Sequence, residues 1–374
     1  NKVALFYLPA LTGDVFWTAA ILVALGTTFG TILGIGSGIS IIISAAVVII
    51  YTSMGGLWSV AVTDVIQLTI LIGGLLFVLP FIYGHGSSFQ DAWNLYKDGM
   101  GSHSSFLPTK EALGNQWASW WDYAFLLMLG GIPWQVYFQR VLAARSSKVA
   151  VRLSIISGLV CLIAAIPAVL IGITGYATDW QALGLPHPPD AASILPHVIR
   201  YLTNPVVAMI GLGAIAAAVM SSADSSILSA STLTVWNVLG KNKLTDQKEV
   251  THYIKRSVWI LGIACTLVAL NIQSIYDLWV LCSDFVYCLL FPALVTSLFD
   301  PKANGTGAVA GFLIALFLRL GGGEPVLGLP AFLPYPTDVG GVILVPFRTI
   351  AMVSGLLTII IVSRLSTRSD SRSD

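Results

Sequence analysis

Long apolar stretches alternate with short polar or Gly/Pro-containing ones along the whole 374-residue chain. About ten such runs lie near residues 3–29, 37–51, 56–83, 119–142, 149–176, 204–236, 254–272, 276–299, 306–320 and 343–363. Most approach or exceed the roughly 20 residues an α-helix needs to cross hydrocarbon. The pattern predicts helices throughout, because barrel strands of about ten residues would alternate apolar with polar positions. Two long polar insertions, 84–118 and 321–342, interrupt the series. The first separates the third predicted helix from the fourth and links two halves of the chain.

Successive helices alternate sides, so the loop charges orient the bundle. If loop 140–152 is cytoplasmic, then Lys2, Arg140, Arg145, Lys148, Arg152, Lys241, Lys243, Lys248, Lys255, Arg256, Lys302, Arg364, Arg368 and Arg372 share that side. Lys97, Lys110, Arg200, Arg319 and Arg348 fall on the other. The positive-inside bias therefore predicts a cytoplasmic C-terminus and places both insertions outside.

Composition agrees with a polytopic membrane protein: 56% of residues are hydrophobic, 10% are charged, and the mean hydropathy is +0.84. An average soluble domain carries about 25% charge. A formal net charge of +1 gives no basic surface for nucleic acid. Cys161, Cys265, Cys282 and Cys288 all lie in apolar stretches and read as packing residues rather than a disulfide framework. The five histidines, His85, His103, His187, His197 and His252, fall in predicted loops, so no intramembrane histidine relay and no catalytic base for a serine nucleophile is expected. Asn304-Gly305-Thr306 spells a glycosylation sequon, but in a loop assigned to the cytoplasm. The chain opens at Asn1 directly into an apolar run, so its true start is expected upstream, and the closing STRSDSRSD reads as a disordered polar tail.

Ionisable groups at membrane depth are costly, which makes each a functional candidate. Here they are mostly negative: Asp14, Asp64, Asp224 and Asp284 lie in or beside apolar spans. The densest polar cluster is AAAVMSSADSSILSAS at 216–231. On a helix Ala218, Ser221, Ser222, Ser225 and Ser229 share a face, flanked by Asp224. Hydroxyls, backbone carbonyls and a carboxylate suit a hard cation such as sodium; close helix packing is the competing explanation. Asp64, with Gln67 on its face, reads equally as a second ligand, an exit station for the ion or a satisfied structural carboxylate. In DYAFLLMLGGIPWQVYFQRVL at 122–142, Gly130, Gly131 and Pro133 predict a broken helix, the kind of element at which transporters bind their cargo. Trp134 follows the break, and Trp17 stands three residues after Asp14. Aromatic faces attract quaternary ammonium groups, so these two rings are candidate walls of a cation cage. Trp117, Trp120 and Trp121 fit an interfacial belt instead.

At these residues the chain acquires a resemblance. YTSMGGLWSVAVTDVIQ at 51–67 resembles the sodium/solute symporter family, and LMLGGIPWQVYFQRVL with VMSSADSSILSAS is similar to its high-affinity choline transporter branch. LPALTGDVFWTAA and FLRLGGGEP extend the likeness from about Leu5 to Arg364. The resemblance implies an all-α, five-plus-five inverted-repeat (LeuT-like) fold with alternating access, no enzyme activity, and sodium-coupled, chloride-dependent choline uptake. It further implies a multi-pass plasma membrane protein of presynaptic terminals and synaptic vesicles, supplying choline for acetylcholine synthesis. By residue, it implies a choline cage containing Trp17 and Trp134 and a sodium site at Ala218, Ser221 and Ser222. A possible second sodium site comprises Asp64, Asp224 and Ser225. Asp14, Asp122 and Glu324 are further candidates within motif segments. No cofactor beyond the coupling ions is implied, and a homo-oligomer stays open.

Family members carry about three more helices upstream. The expected organisation is therefore one transporter domain over 1–374, as an N-terminally truncated fragment: 3–83 the last three helices of the first repeat, 119–299 the second repeat, 306–363 two additional helices and 364–374 the tail. The alternatives are a sister symporter for another small organic solute, or a non-transporting fragment that associates with the full-length transporter. A channel is the least expected, since no repeated pore loop or charge ring is visible.

Overall fold

The computed structural model describes residues 2–83, 88–105, 107–238 and 246–370 of the chain. Of the residues named above, Asn1, His85, Lys241, Lys243 and Arg372 lie outside the described residues, as do the side chains of Lys2 and Arg368. Helices make up almost all the regular structure of the described residues, with two isolated β-bridges, Glu324–Leu329 and Thr337–Ile343, between α13 and α14. In order, the helices are α1 (Lys2–Leu33), α2 (Ser37–Tyr83), α3 (Phe89–Met100), α4 (Lys110–Leu113), α5 (Trp117–Gly130), α6 (Gln135–Leu142) and α7 (Ser147–Ala177). They continue with α8 (Ile194–Tyr201), α9 (Pro205–Val238), α10 (Gln247–Asn271), α11 (Ile275–Phe285), α12 (Phe291–Phe299), α13 (Gly305–Gly321) and α14 (Phe347–Asp370). Eight segments among the described residues are long and apolar enough to cross a membrane.

The predicted spans 37–51 and 56–83 both belong to α2, which runs without a break in hydrogen bonding for 47 residues. It is not straight. Tyr51 Oη donates to Thr63 Oγ1 at 2.8 Å across twelve residues, whereas twelve residues of straight helix advance about 18 Å. The helix axis therefore bends sharply between them, and α2 forms two limbs. The predicted span 119–142 divides as its glycines and proline require, into α5 and α6. The two apolar segments α11 and α12 are joined by a π-helical turn, Val286–Leu290. Helix α14 extends to Asp370, so residues 366–370 of the expected disordered tail are helical.

Helix starts follow local capping chemistry: Ser146, Asp246 and Ser274 accept backbone N–H groups at the starts of α7, α10 and α11. Asn304 does the same for α13. Its Oδ1 accepts the Thr306 and Gly307 N–H groups, and its Nδ2 donates to Ser363 O and Ser366 Oγ. The sequon asparagine is thus the cap that ties α13 to α14.

One cluster of buried side chains joins α1, the first limb of α2, α9 and α10 through Leu22, Leu25, Ile41, Val48, Ile227 and Val258. A second joins the other limb of α2 to α7, α8 and α9 through Val78, Ile171, Ile199 and Leu212. A third joins α5, the π turn, α13 and α14 through Leu126, Tyr287, Phe312 and Ala351. Helix α9 touches the first two and is the axis of the bundle. In the α13–α14 pair, a Cβ on Gly311 would sit 2.5 Å from Gly355 O and 2.4 Å from Ile359 Cγ1. The backbones meet there because both faces are bare, the small-residue packing that membrane helices favour. At the periphery, 11% of the most apolar window of α7 is buried, against 61% of Ile275–Phe299, so α7 lies on the outside of the described helices and α11–α12 within them.

Two expectations about charge and histidine need correction. Arg319 and Arg348 are not loop residues: Arg319 is 0% exposed near the end of α13 and Arg348 opens α14. His197 and His252 lie on helices α8 and α10; His197 is buried against the Trp180 and Tyr201 rings, with Nε2 2.7 Å from Pro186 O. The four cysteines are free thiols, as their apolar settings suggest, and all but Cys161 are buried.

Candidate functional site

The break between α5 and α6 begins where α5 presses on its neighbour: a Cβ on Gly130 would lie 2.8 Å from Ser283 O. Only glycine permits this approach. Ile132 N closes a turn on Leu129 O at 3.1 Å, and Pro133 brings no N–H with which to continue the helix. Trp134 is then extended, with φ −75° and ψ 131°, and the helix resumes behind it when Phe138 N bonds Trp134 O. The unwound strap throws the Trp134 side chain across to α1.

There Trp134 Nε1 donates to Asp14 Oδ1 at 2.7 Å, and its ring meets Trp17 edge to face, with centroids 5.4 Å apart at 70°. Ser229 of α9 donates to the other carboxylate oxygen of Asp14 at 3.1 Å. Thr18 and Ser226 bond the Asp14 carbonyl and each other, which seals the α1–α9 seam with hydroxyls. Asp14 is 0% exposed, and no ion pair among the described residues includes it. Two neutral donors leave its charge uncompensated in an apolar setting, a costly state unless a cation or a proton arrives. The structure therefore gathers the candidates Asp14, Trp17 and Trp134 around one buried negative charge with aromatic walls.

The serine cluster on α9 divides between two acceptors. Ser229 and Ser226 serve Asp14, while Ser221 donates to Asp64 Oδ1 at 2.5 Å and Ser225 lies 3.4 Å from Asp64 Oδ2. Arg140, on α6, completes this second group. Its Nη2 donates to Asp64 Oδ2 at 2.8 Å and to Ser225 Oγ at 2.7 Å. Asp224 is 1% exposed, and neither of its carboxylate oxygens has a hydrogen-bond partner. Ser222 Oγ stands 3.3 Å from the Ala218 carbonyl, a long contact for a hydroxyl donor. Both oxygens are thus only loosely engaged. Carboxylates, hydroxyls and a carbonyl form the all-oxygen donor set that suits a hard monovalent cation. Gln67, expected on the face of Asp64, has a buried and unpartnered Oε1.

Asp122 and Glu324 belong elsewhere. Asp122 accepts the Arg348 and Thr349 backbone N–H groups at 3.1 and 2.7 Å, so it caps α14 from another helix. Arg348 Nε also donates to Asp284 Oδ2 at 2.8 Å, and Arg319 reaches the same oxygen at 2.7 Å. Arg319 Nη2 pairs with Glu324, and Nη1 donates to Gly323 O. The network closes one side of a cavity of about 550 Å³ bounded also by Tyr123, Tyr276 and Asp277. Sequence reasoning singled out the acids and missed both arginines. The available signal was Arg319 standing inside the apolar run of α13, separated by Leu320 from Gly-Gly-Gly-Glu.

The model of the sodium:solute symporter family matches residues 4–315. The chain is 44% identical over 375 residues to a Caenorhabditis elegans protein named high-affinity choline transporter 1, covering 96% of this chain and 63% of that protein. It is 43% identical to the human protein of that name over 378 residues, 97% of this chain and 64% of that one. It thus spans a little under two thirds of the length of these curated relatives. Among solved structures it resembles a Na+-coupled sialic acid symporter in a substrate-bound, outward-open state, with a TM-score of 0.75 at 20% identity over 97% of this chain and 74% of that one. That likeness fixes the fold, which is the inverted-repeat transporter architecture expected above.

Proposed function

Because the chain belongs to the sodium:solute symporter family, whose members are transporters rather than enzymes, we propose that it is the greater part of a sodium-coupled choline transporter. The single observation that carries this reading is the meeting of Trp17, Trp134 and the uncompensated carboxylate of Asp14 at a helix break. A quaternary ammonium ion has no N–H to donate, so it is recognised by aromatic faces and by charge, and both are supplied here. The names of the curated relatives support the same substrate. A polar or anionic solute would be poorly matched to two indoles beside a carboxylate.

On this reading sodium is a coupling ion, held by the Ala218 carbonyl and the Ser221 and Ser222 hydroxyls, with Asp64, Asp224 and Ser225 as a second station. Sodium binding favours the outward-open conformation, choline then completes the cage, and closure follows because the pair binds the closed form more tightly. Residues 3–83 and 119–299 serve as the two repeat portions, 306–363 as additional helices and 364–374 as the terminal segment. The loop charge bias supports a cytoplasmic C-terminus. Chloride dependence, residence in presynaptic plasma membrane and vesicles, and supply of acetylcholine synthesis are carried with the choline assignment.

The test is radiolabelled choline uptake into cells expressing the complete gene product, in sodium and in lithium. Saturable uptake that requires sodium is the expected result. Protein at the cell surface with no choline uptake would leave the scaffold standing and remove the substrate.

A further inference from the structure

Arg140 occupies the position that a mobile cation would take at Asp64. Its guanidinium lies 2.8 Å from Asp64 Oδ2 and 2.7 Å from Ser225 Oγ, while Nη1 braces the arm on Val136 O of its own helix at 3.2 Å. Ser221 takes Asp64 Oδ1. The oxygen lone pairs that would ligate sodium are the ones that accept the N–H donors of arginine, so the two cations exclude each other. One residue before Ser225 on α9, Asp224 is buried, and neither of its carboxylate oxygens makes a hydrogen bond of good geometry. Arg140 also has somewhere to go: its side chain is 41% exposed, whereas that of Asp64 is 21% exposed.

We infer that Arg140 is a built-in competitor for sodium at the Asp64–Ser225–Asp224 station, and that sodium enters this station by displacing it. The inference rests on the sodium coupling proposed above and assigns a role to a residue that reading does not use. Its consequence is mechanical. Helix α6 is pinned at its start by Trp134 on Asp14 and near its end by Arg140 on Asp64. Displacing the guanidinium releases the far end of the short helix whose first residue follows the aromatic wall, so an ion at one carboxylate alters the freedom of the indole at the other. Arg140 is thus a positioning residue that sets the sodium concentration at which α6 is let go.

Binding of radiolabelled sodium to the purified protein in lipid nanodiscs, without choline, tests this directly. Arg140→Gln is expected to lower the half-saturating sodium concentration by about fivefold, the scale of a partly exposed ion pair. Adding Asp64→Asn to that variant should abolish the gain. Merely structural damage does not tighten ion binding. Arg140→Lys keeps the charge but not the planar fork, should give a smaller decrease, and decides the matter if the glutamine variant does not yield monodisperse protein. Unchanged or weaker sodium binding in the glutamine variant, or in the lysine variant where it stands in, overturns the role of Arg140 while leaving sodium coupling intact. Absence of saturable sodium binding in wild type and variants alike overturns both.

Discussion

Trp134 and Asp14, 120 residues apart in the chain, are joined by a 2.7 Å hydrogen bond from the indole N–H to a carboxylate with no counter-ion among the described residues. The bond fixes the ring of the unwound strap against Trp17 and keeps a negative charge at the edge of the aromatic pair. Geometry and charge for a quaternary ammonium are therefore set by one contact.

Removing the ring should remove the site. Trp134→Ala is expected to weaken choline binding roughly ten- to thirtyfold, the range of a desolvated cation–π contact, with surface expression retained. Trp134→Phe keeps a smaller aromatic face and loses the N–H donor, so it should fall between the two. Concentration dependence of choline uptake separates them; equal affinities for alanine and wild type would take Trp134 out of the cage.

Ser221 faces a carboxylate on α2 rather than the tryptophans. Ser221→Ala should raise the sodium concentration for half-maximal uptake about tenfold or more, the scale of the roughly 1.5–3 kcal/mol of a hydrogen bond to a charged group, and change the choline dependence much less. Paired sodium and choline titrations of uptake are the measurement, and equal shifts in both would argue against an ion-ligand role.

Asp284 accepts from Arg319 and Arg348 through one oxygen, and both arginines lie within the helical bundle. Asp284→Asn leaves two guanidinium groups short of a counter-charge, and breaking a buried pair costs about 3–5 kcal/mol. The expected result is a large loss of thermal stability and surface expression. Thermal unfolding of purified protein reports it; a variant as stable as wild type would show that the arginines find other partners.

Gly311 allows α13 and α14 to touch backbone to backbone. Gly311→Val should cost about 1–3 kcal/mol through overpacking and leave the sodium and choline dependences of the surviving protein unchanged. Comparing its unfolding temperature and its uptake kinetics with those of Asp284→Asn distinguishes packing from charge.

The helical spans were legible because membrane helices announce themselves by length and apolarity, and the strap was legible because Gly130, Gly131 and Pro133 act on their own backbone. Asp14, Trp17 and Trp134 were individually visible as polar or aromatic residues out of place, yet their convergence depends on how α1 crosses α6. Arg319 and Arg348 were misplaced for a related reason. Both stand inside the apolar runs 306–320 and 343–363 yet were counted with the loop charges, whereas their depth is decided by partners such as Asp284 and Glu324 that are distant or lie across a turn. The same limit applies to Asn304, whose sequon spelling is local while its work as a cap bonded to Ser363 and Ser366 is not.

Helix α9 hands out hydroxyls to two different carboxylates from a single row, Ser221 and Ser225 to Asp64 and Ser229 to Asp14. Because these serines recur every four residues, about one helical turn, a slide of α9 by one turn or 5.4 Å would bring Ser225 toward the position Ser229 had held. Helix α9 is in that sense a camshaft: one rotation or axial slip resets both stations at once, and neither carboxylate can change its company without the other being re-timed.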